Sequence, residues 1–148
     1  MGIPENAAFE DTIDTPAVNH IIYSDIMDQK VKLEELLLDL KAKNIQEKDI
    51  VILSPKKRSN SVVELLDGYD IKDYSGKSTG RVRFSTIQAF KGLESSTVIL
   101  TDIEDYKDEK LIYVGLSRAR FNLHVLETER ASSARAMLFF QRRLANGR

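Results

Sequence analysis

The chain contains no cysteine and no tryptophan, and among its 148 residues there are only three prolines, seven glycines and 7% aromatic side chains. Without cysteine there is no disulfide, no thiolate metal site and no thiol nucleophile. The only two histidines, His20 and His124, are far apart in the chain. They give no spacing for a histidine-built zinc site or a local Ser/His relay, so each reads as a packing or surface residue and no metal ligand is assigned. No apolar run approaches the ~20 residues that would cross a bilayer. Residues 1–19 also lack the basic and apolar regions of a secretory leader. A cytoplasmic protein with no membrane partner is therefore expected. The length suits one domain, long enough to bury roughly two-thirds of its unfolded surface.

Positive and negative charges nearly balance, at 22 against 23, but they are unevenly placed. Residues 1–54 carry 5 basic and 11 acidic side chains, and residues 55–148 carry 17 and 12. A basic second part favours polyanions such as nucleotides or nucleic acid, although arginines on the wet face of one helix give the same count.

Residues 1–19 hold four acids, two prolines and no base, which reads as a flexible lead-in or an artificial boundary outside the fold. Residues 20–148 then read as one domain. The stretch 20–24 (HIIYS) predicts a short strand, and Ser24 or Asp25 stands where an N-cap would open a helix. Leu33, Leu36, Leu37 and Leu40 follow the i, i+3, i+4, i+7 spacing of a buried helical stripe, with Asn44 as its stop. The run 49–54 (DIVILS) has strand length and is apolar throughout, the pattern of a strand covered on both faces. A basic turn (KKRSN) follows, then a short helix at 61–66 and a polar loop at 68–80 with room for one short strand. Strands at 82–85, 97–101 and 122–127 alternate with helix-compatible segments, among them 108–120 and 131–144, the last burying Met137, Phe140 and Leu144. Such alternation predicts βαβ units: an α/β fold with a mostly parallel sheet and helices on both faces.

Two phosphate-site look-alikes fail on inspection. Residues 76–78 read GKS, the tail of a P-loop, but the full spacing needs glycine at position 71, where Ile71 stands. That glycine makes the turn in which successive N–H groups cradle phosphate. Residues 98–102 (VILTD), with Glu104 beyond, imitate a strand ending in a magnesium-holding acid. Without a P-loop there is no phosphate-bound metal to hold, so Asp102 and Glu104 are expected to be surface loop acids.

Two segments are more specific: 85–94 (STIQAFKGLE) and 113–120 (YVGLSRAR), separated by the apolar run 97–101. In order and spacing they resemble motifs V and VI of superfamily 1 helicases of the UvrD/Rep/PcrA type. There, T-x-H-x-x-K-G-L-E precedes an apolar strand and then Y-V-A/G-x-T/S-R-A. The run 49–60 also looks like the strand and turn such helicases carry upstream, so the resemblance covers about residues 20–128. The sequence departs from the pattern at Gln88 (for histidine), Ser95 (for an aromatic) and Ser117 (for threonine).

The resemblance implies a RecA-like C-terminal motor lobe that lacks its own P-loop. Such a lobe closes over ATP, whose phosphates and Mg2+ are held by a first, N-terminal RecA-like lobe. It implies Arg118 as the catalytic arginine finger, Glu94 as the ribose contact with Gly92 and Lys91 beside it, and Thr86 and Gln88 as contacts to single-stranded DNA, RNA not being excluded. These residue types suit the roles. A permanently charged planar guanidinium stabilises charge on transferring phosphoryl oxygens, glycine admits close backbone approach, and a hydroxyl or amide bonds phosphate oxygens. Each role has a plainer alternative: a surface ion pair for Arg118, a helix end for Gly92, a solvated charge for Lys91. For the whole chain the alternative is a non-catalytic nucleic-acid or protein docking module that keeps the lobe fold.

Overall fold

The apolar run 49–54 lies within the sheet, between two parallel neighbours, as its composition requires. In the computed structural model, which describes residues 17–75 and 80–146, β2 (Ile50–Ser54) is buried at all five positions. The other strands are β1 (Ala17–Tyr23), β3 (Lys72–Asp73), β4 (Arg83–Thr86), β5 (Ser95–Ile103) and β6 (Ala119–Thr128). They form one six-stranded sheet in the order β1-β6-β5-β2-β4-β3, and every neighbouring pair is parallel. Parallel neighbours require crossover connections that cover the faces, which is why these strands read as apolar runs rather than as alternating ones.

The two-residue period of a strand sorts the core into two layers. Ile50, Ile52, Ile99 and Leu126 join the leucine stripe of α1 (Ile26–Ala42) on one face. Val51, Leu53, Leu100 and Val125 face the other way, toward Ile112 of α2 (Glu109–Leu116) and Ala131 of α3 (Glu129–Asn146). Helix α1 starts at Asp25, whose side chain accepts from the Asp28 N–H. It stops at Asn44, which adopts φ 66°. There the Ile45 N–H bonds the Leu40 carbonyl at 3.0 Å and the Asn44 N–H bonds that of Lys41 at 2.9 Å, the paired bonds of a Schellman cap.

Four sequence expectations need correction. Strand β1 begins before residue 20: Ala17, Val18 and Asn19 pair with Asn122, Leu123 and His124 of β6. The helix expected over 108–120 ends at Leu116, because strand pairing takes over its last residues. The Ser95 N–H bonds the Arg118 carbonyl at 3.0 Å and Ala119 opens β6 opposite Ser95, so Arg118 sits in a turn rather than on a helix. Met137 is not buried but 58% exposed. It follows Ala131 by six residues, which at 3.6 residues per turn places it about 120° around α3 from that buried anchor. Asp102 is not a surface acid; it is 2% exposed. The GKS run falls in 76–79, outside the described residues, and Phe140 and Leu144 lie in α3 with side chains that are likewise outside the description. Among the described residues no helix is long and apolar enough to cross a membrane.

Candidate functional site

Residues 86–94 cross from one edge of the sheet to the other. Thr86 ends β4 level with Ser54, the last residue of β2, whereas Ser95 opens β5 opposite Ala119. Since Thr97 pairs with Ile50, the two levels are six strand residues apart, roughly 20 Å at 3.3 Å per residue. The six residues singled out from the sequence therefore divide into two groups. Thr86 and Gln88 lie at the C-terminal edge of the sheet, and Glu94 and Arg118 lie at the N-terminal edge of β5 and β6. Gly92 and Lys91 lead into the second group.

Apolar anchors aim the segment. Ile87 and Phe90, three apart on one turn, are fully buried, and the Phe90 ring meets Tyr74 edge-on at 5.2 Å. With those two inward, Gln88, Lys91, Gly92 and Glu94 are exposed. The chain is fastened at its start by the Ile87 N–H on the Ser54 carbonyl, 2.9 Å. Thr86 Oγ1 accepts from the Ala89 N–H at 3.2 Å, which leaves its O–H free to donate outward. Gly92 holds φ 81°, a left-handed conformation that lets the chain turn back toward β5 and that other residues resist. Gly115 of α2 serves by smallness instead. A Cβ there would lie 3.1 Å from both Ile87 Cδ1 and Leu100 Cδ1, so glycine brings the helix before Arg118 down onto the 86–94 segment.

Arg118 ties the two motifs together. Its Nε–H bonds the Val114 carbonyl at 3.0 Å, Nη1 the Leu93 carbonyl at 3.3 Å and Nη2 the Ser117 hydroxyl at 2.9 Å. Ser117 Oγ in turn donates to the Val114 carbonyl at 2.8 Å. No carboxylate among the described residues pairs with Arg118, so a surface ion pair does not account for it. Two of its five N–H groups remain available. Arg120, not Arg118, is the arginine nearest Glu94, at 4.0 Å, and it also stacks over the Phe121 ring at 5.4 Å. The motif pattern singles out Arg118, and the turn at Ser117 sets the two arginines apart in space, folding Arg118 back onto Leu93 and leaving Arg120 on an exposed strand position.

Two buried carboxylates were not legible beforehand. Asp102 is surrounded by hydroxyl, amide and N–H donors at the C-terminal edge. Glu127, with its side chain fully buried, accepts from His20 Nδ1 at 3.0 Å, Tyr106 Oη at 2.8 Å and both ends of the Arg135 fork at 3.1 and 2.9 Å. Burial alone would raise its pKa, but the bonds from His20, Arg135 and Tyr106 outweigh it and bring the carboxyl down to about 2. The histidines divide between the two expectations: His20 is exposed and bonds Glu127, whereas His124 is half-buried and bonds Asn19 at 3.1 Å while burial pushes its pKa down. A cleft of about 430 Å³ opens where α1 begins, lined by Tyr23, Gln29, Glu104 and Arg130 among others, and it contains none of the six motif residues.

Residues 81–126 match the family described as UvrD-like helicase C-terminal domain, a stretch that includes both motifs and all six residues. Among solved structures, the fold is similar to that of the C-terminal domain of a possible DNA helicase from Lactobacillus plantarum WCFS1. The TM-score is 0.60 at 16% identity, over 80% of this chain and 81% of that one. No curated protein matches the chain in sequence.

Proposed function

We propose that this chain, which carries a UvrD-like helicase C-terminal domain at residues 81–126, is the second motor lobe of an ATP-dependent DNA helicase or translocase. The observation that carries the reading is Arg118: a guanidinium inside the matched motif, held by carbonyls and a hydroxyl rather than by an acid. An arginine so placed keeps its full charge and spare donors for an anion presented from outside the lobe. ATP, when bound, supplies the γ-phosphoryl group that is transferred to water. On this chain Arg118 would meet the charge that develops there, Glu94 would accept from ribose hydroxyls, and Gly92 with Lys91 would form the adjoining turn. For Glu94 to do so, the 4.0 Å contact with Arg120 has to open. The P-loop lysine and the Mg2+ ligands belong to a facing N-terminal RecA-like lobe. At the other edge Thr86 and Gln88, beside the basic loop that follows β2, would bear on the sugar–phosphate backbone of a single strand.

Two outcomes follow for the chain by itself. It should hydrolyse ATP no faster than buffer, since none of the groups that hold the β- and γ-phosphates is in its motifs. A malachite-green phosphate assay decides this, and turnover that disappears in Arg118→Ala would refute it. The chain should also bind single-stranded oligonucleotides weakly, with Kd on the order of 10⁻⁴ to 10⁻⁶ M, and lose that binding steeply as salt rises. Only one wall of a groove is present and there is no tryptophan to stack on. Submicromolar binding that ignores salt would contradict the reading.

A further inference from the structure

Strand β5 gains one residue on β6 near its end. Leu100 pairs with Val125 and Ile103 with Glu127, so three steps on one strand meet two on the other. Thr101 and Asp102 together face Leu126 in this bulge, and Asp102 holds φ 63°, a backbone state in which glycine is the comfortable choice and aspartate is tolerated. The bulge turns the carboxylate inward. Oδ2 accepts from the hydroxyls of Ser61 at 2.6 Å and Ser54 at 2.7 Å, and the Thr101 hydroxyl shares its single proton between Oδ2 and the Leu53 carbonyl, each at 3.1 Å. Oδ1 accepts from the Val62 N–H at 3.1 Å and Gln29 Nε2 at 3.2 Å, and the Asp102 N–H donates to Gln29 Oε1 at 2.8 Å. None of the five donors to the carboxylate is a cation. A buried carboxylate on a left-handed residue is an expensive way to finish a sheet where glycine and apolar neighbours would serve, and such arrangements concentrate at functional positions.

We propose that Asp102 is a positioning residue for the single-strand surface, an inference that rests on the reading of Thr86 and Gln88 given above. Its carboxylate fixes Ser54 and Ser61, the two ends of the basic loop at 55–60 that carries the exposed Lys57. Ser54 also holds both neighbouring loops: its hydroxyl oxygen accepts from the Lys56 N–H at 2.9 Å, and its carbonyl accepts the Ile87 N–H between Thr86 and Gln88. One carboxylate therefore sets the basic loop and the Thr86 turn in a common frame. Groups held that way spend less ordering entropy when they meet a phosphate backbone.

The test uses the whole chain with fluorescein-labelled oligothymidylate, read by anisotropy across a salt series at a temperature well below the melting midpoint. Asp102→Asn keeps the shape and the tolerance for positive φ but turns one accepting oxygen into a donor facing donors. It is expected to weaken binding about tenfold and to reduce the slope of log K against log salt by about one phosphate contact. A residue that only stabilises the fold would lower the melting point and leave that slope unchanged. Ser61→Ala removes a single donor and serves if Asp102→Asn does not fold; about threefold weaker binding with a melt within a few degrees of the parent chain is expected. Binding and slope unchanged in both foldable variants, while Thr86→Ala with Gln88→Ala weakens binding, would overturn the inference and leave the single-strand reading standing. If the Thr86→Ala, Gln88→Ala variant binds like the parent chain, the single-strand reading itself fails, and this inference with it.

Discussion

Arg118→Ala is expected to cut ATP turnover by ~10³ or more in a protein that joins this lobe to its P-loop partner, measured at steady state with saturating single-stranded DNA. On the proposed reading, affinity for ATP should change little, because the other lobe would hold the phosphates and the guanidinium would meet charge that grows in the transition state. The structure adds a cost that the motif does not announce. Arg118 joins the end of α2 to the Leu93 carbonyl, so its removal should also lower stability by about 1 kcal/mol, a few degrees in a thermal melt. Arg118→Lys separates the two effects. An ammonium can still reach one carbonyl and restore much of the melt, but it cannot reproduce the planar fork, so turnover should stay low. Near-normal turnover in Arg118→Ala would transfer the finger to Arg120, which already lies beside Glu94.

Glu127→Ala should cost about 3 kcal/mol or more in a urea melt at neutral pH, the usual loss when one partner of a buried ion pair is removed. It would leave the Arg135 guanidinium, only 32% exposed, without its carboxylate and would orphan the Tyr106 hydroxyl and His20 Nδ1. The same network sets an acid limb. Because the folded carboxyl titrates at about 2 and its ordinary value is 4.5, the unfolded chain binds the proton first as pH falls. The stabilisation is complete above pH 4.5 and is lost progressively between there and about pH 2, roughly 3 kcal/mol in all. Stability measured at a series of pH values should fall through that window in the parent chain and flatten in Glu127→Gln. A limb of equal depth in both would assign the acid sensitivity to other carboxylates.

What could be read from the residues alone was whatever is encoded locally. The leucine spacing at 33, 36, 37 and 40 placed α1 and its buried face. The apolar runs at 49–54 and 97–101 declared strands covered on both sides, hence a parallel sheet with helices on each face. The order of STIQAFKGLE and YVGLSRAR pointed to a helicase lobe, since motif order and spacing travel with the chain. What the tertiary structure decided was everything that depends on which strands become neighbours. Pairing of Ser95 with Ala119 ended α2 at Leu116 and put Arg118 in a turn on Leu93, against a helical periodicity that ran on to residue 120. The level of Thr86 with Ser54 sent Thr86 and Gln88 to one edge, and the pairing of Ser95 with Ala119 sent Glu94 and Arg118 to the other. The pattern VILTD is the same for an acid at the surface and an acid inside. Only the bulge against β6, with Gln29, Ser54 and Ser61 arriving from up to 73 residues away, made Asp102 a buried centre. Hydrogen-bond partners that far apart in sequence leave no local trace, because the chain has to fold before they meet.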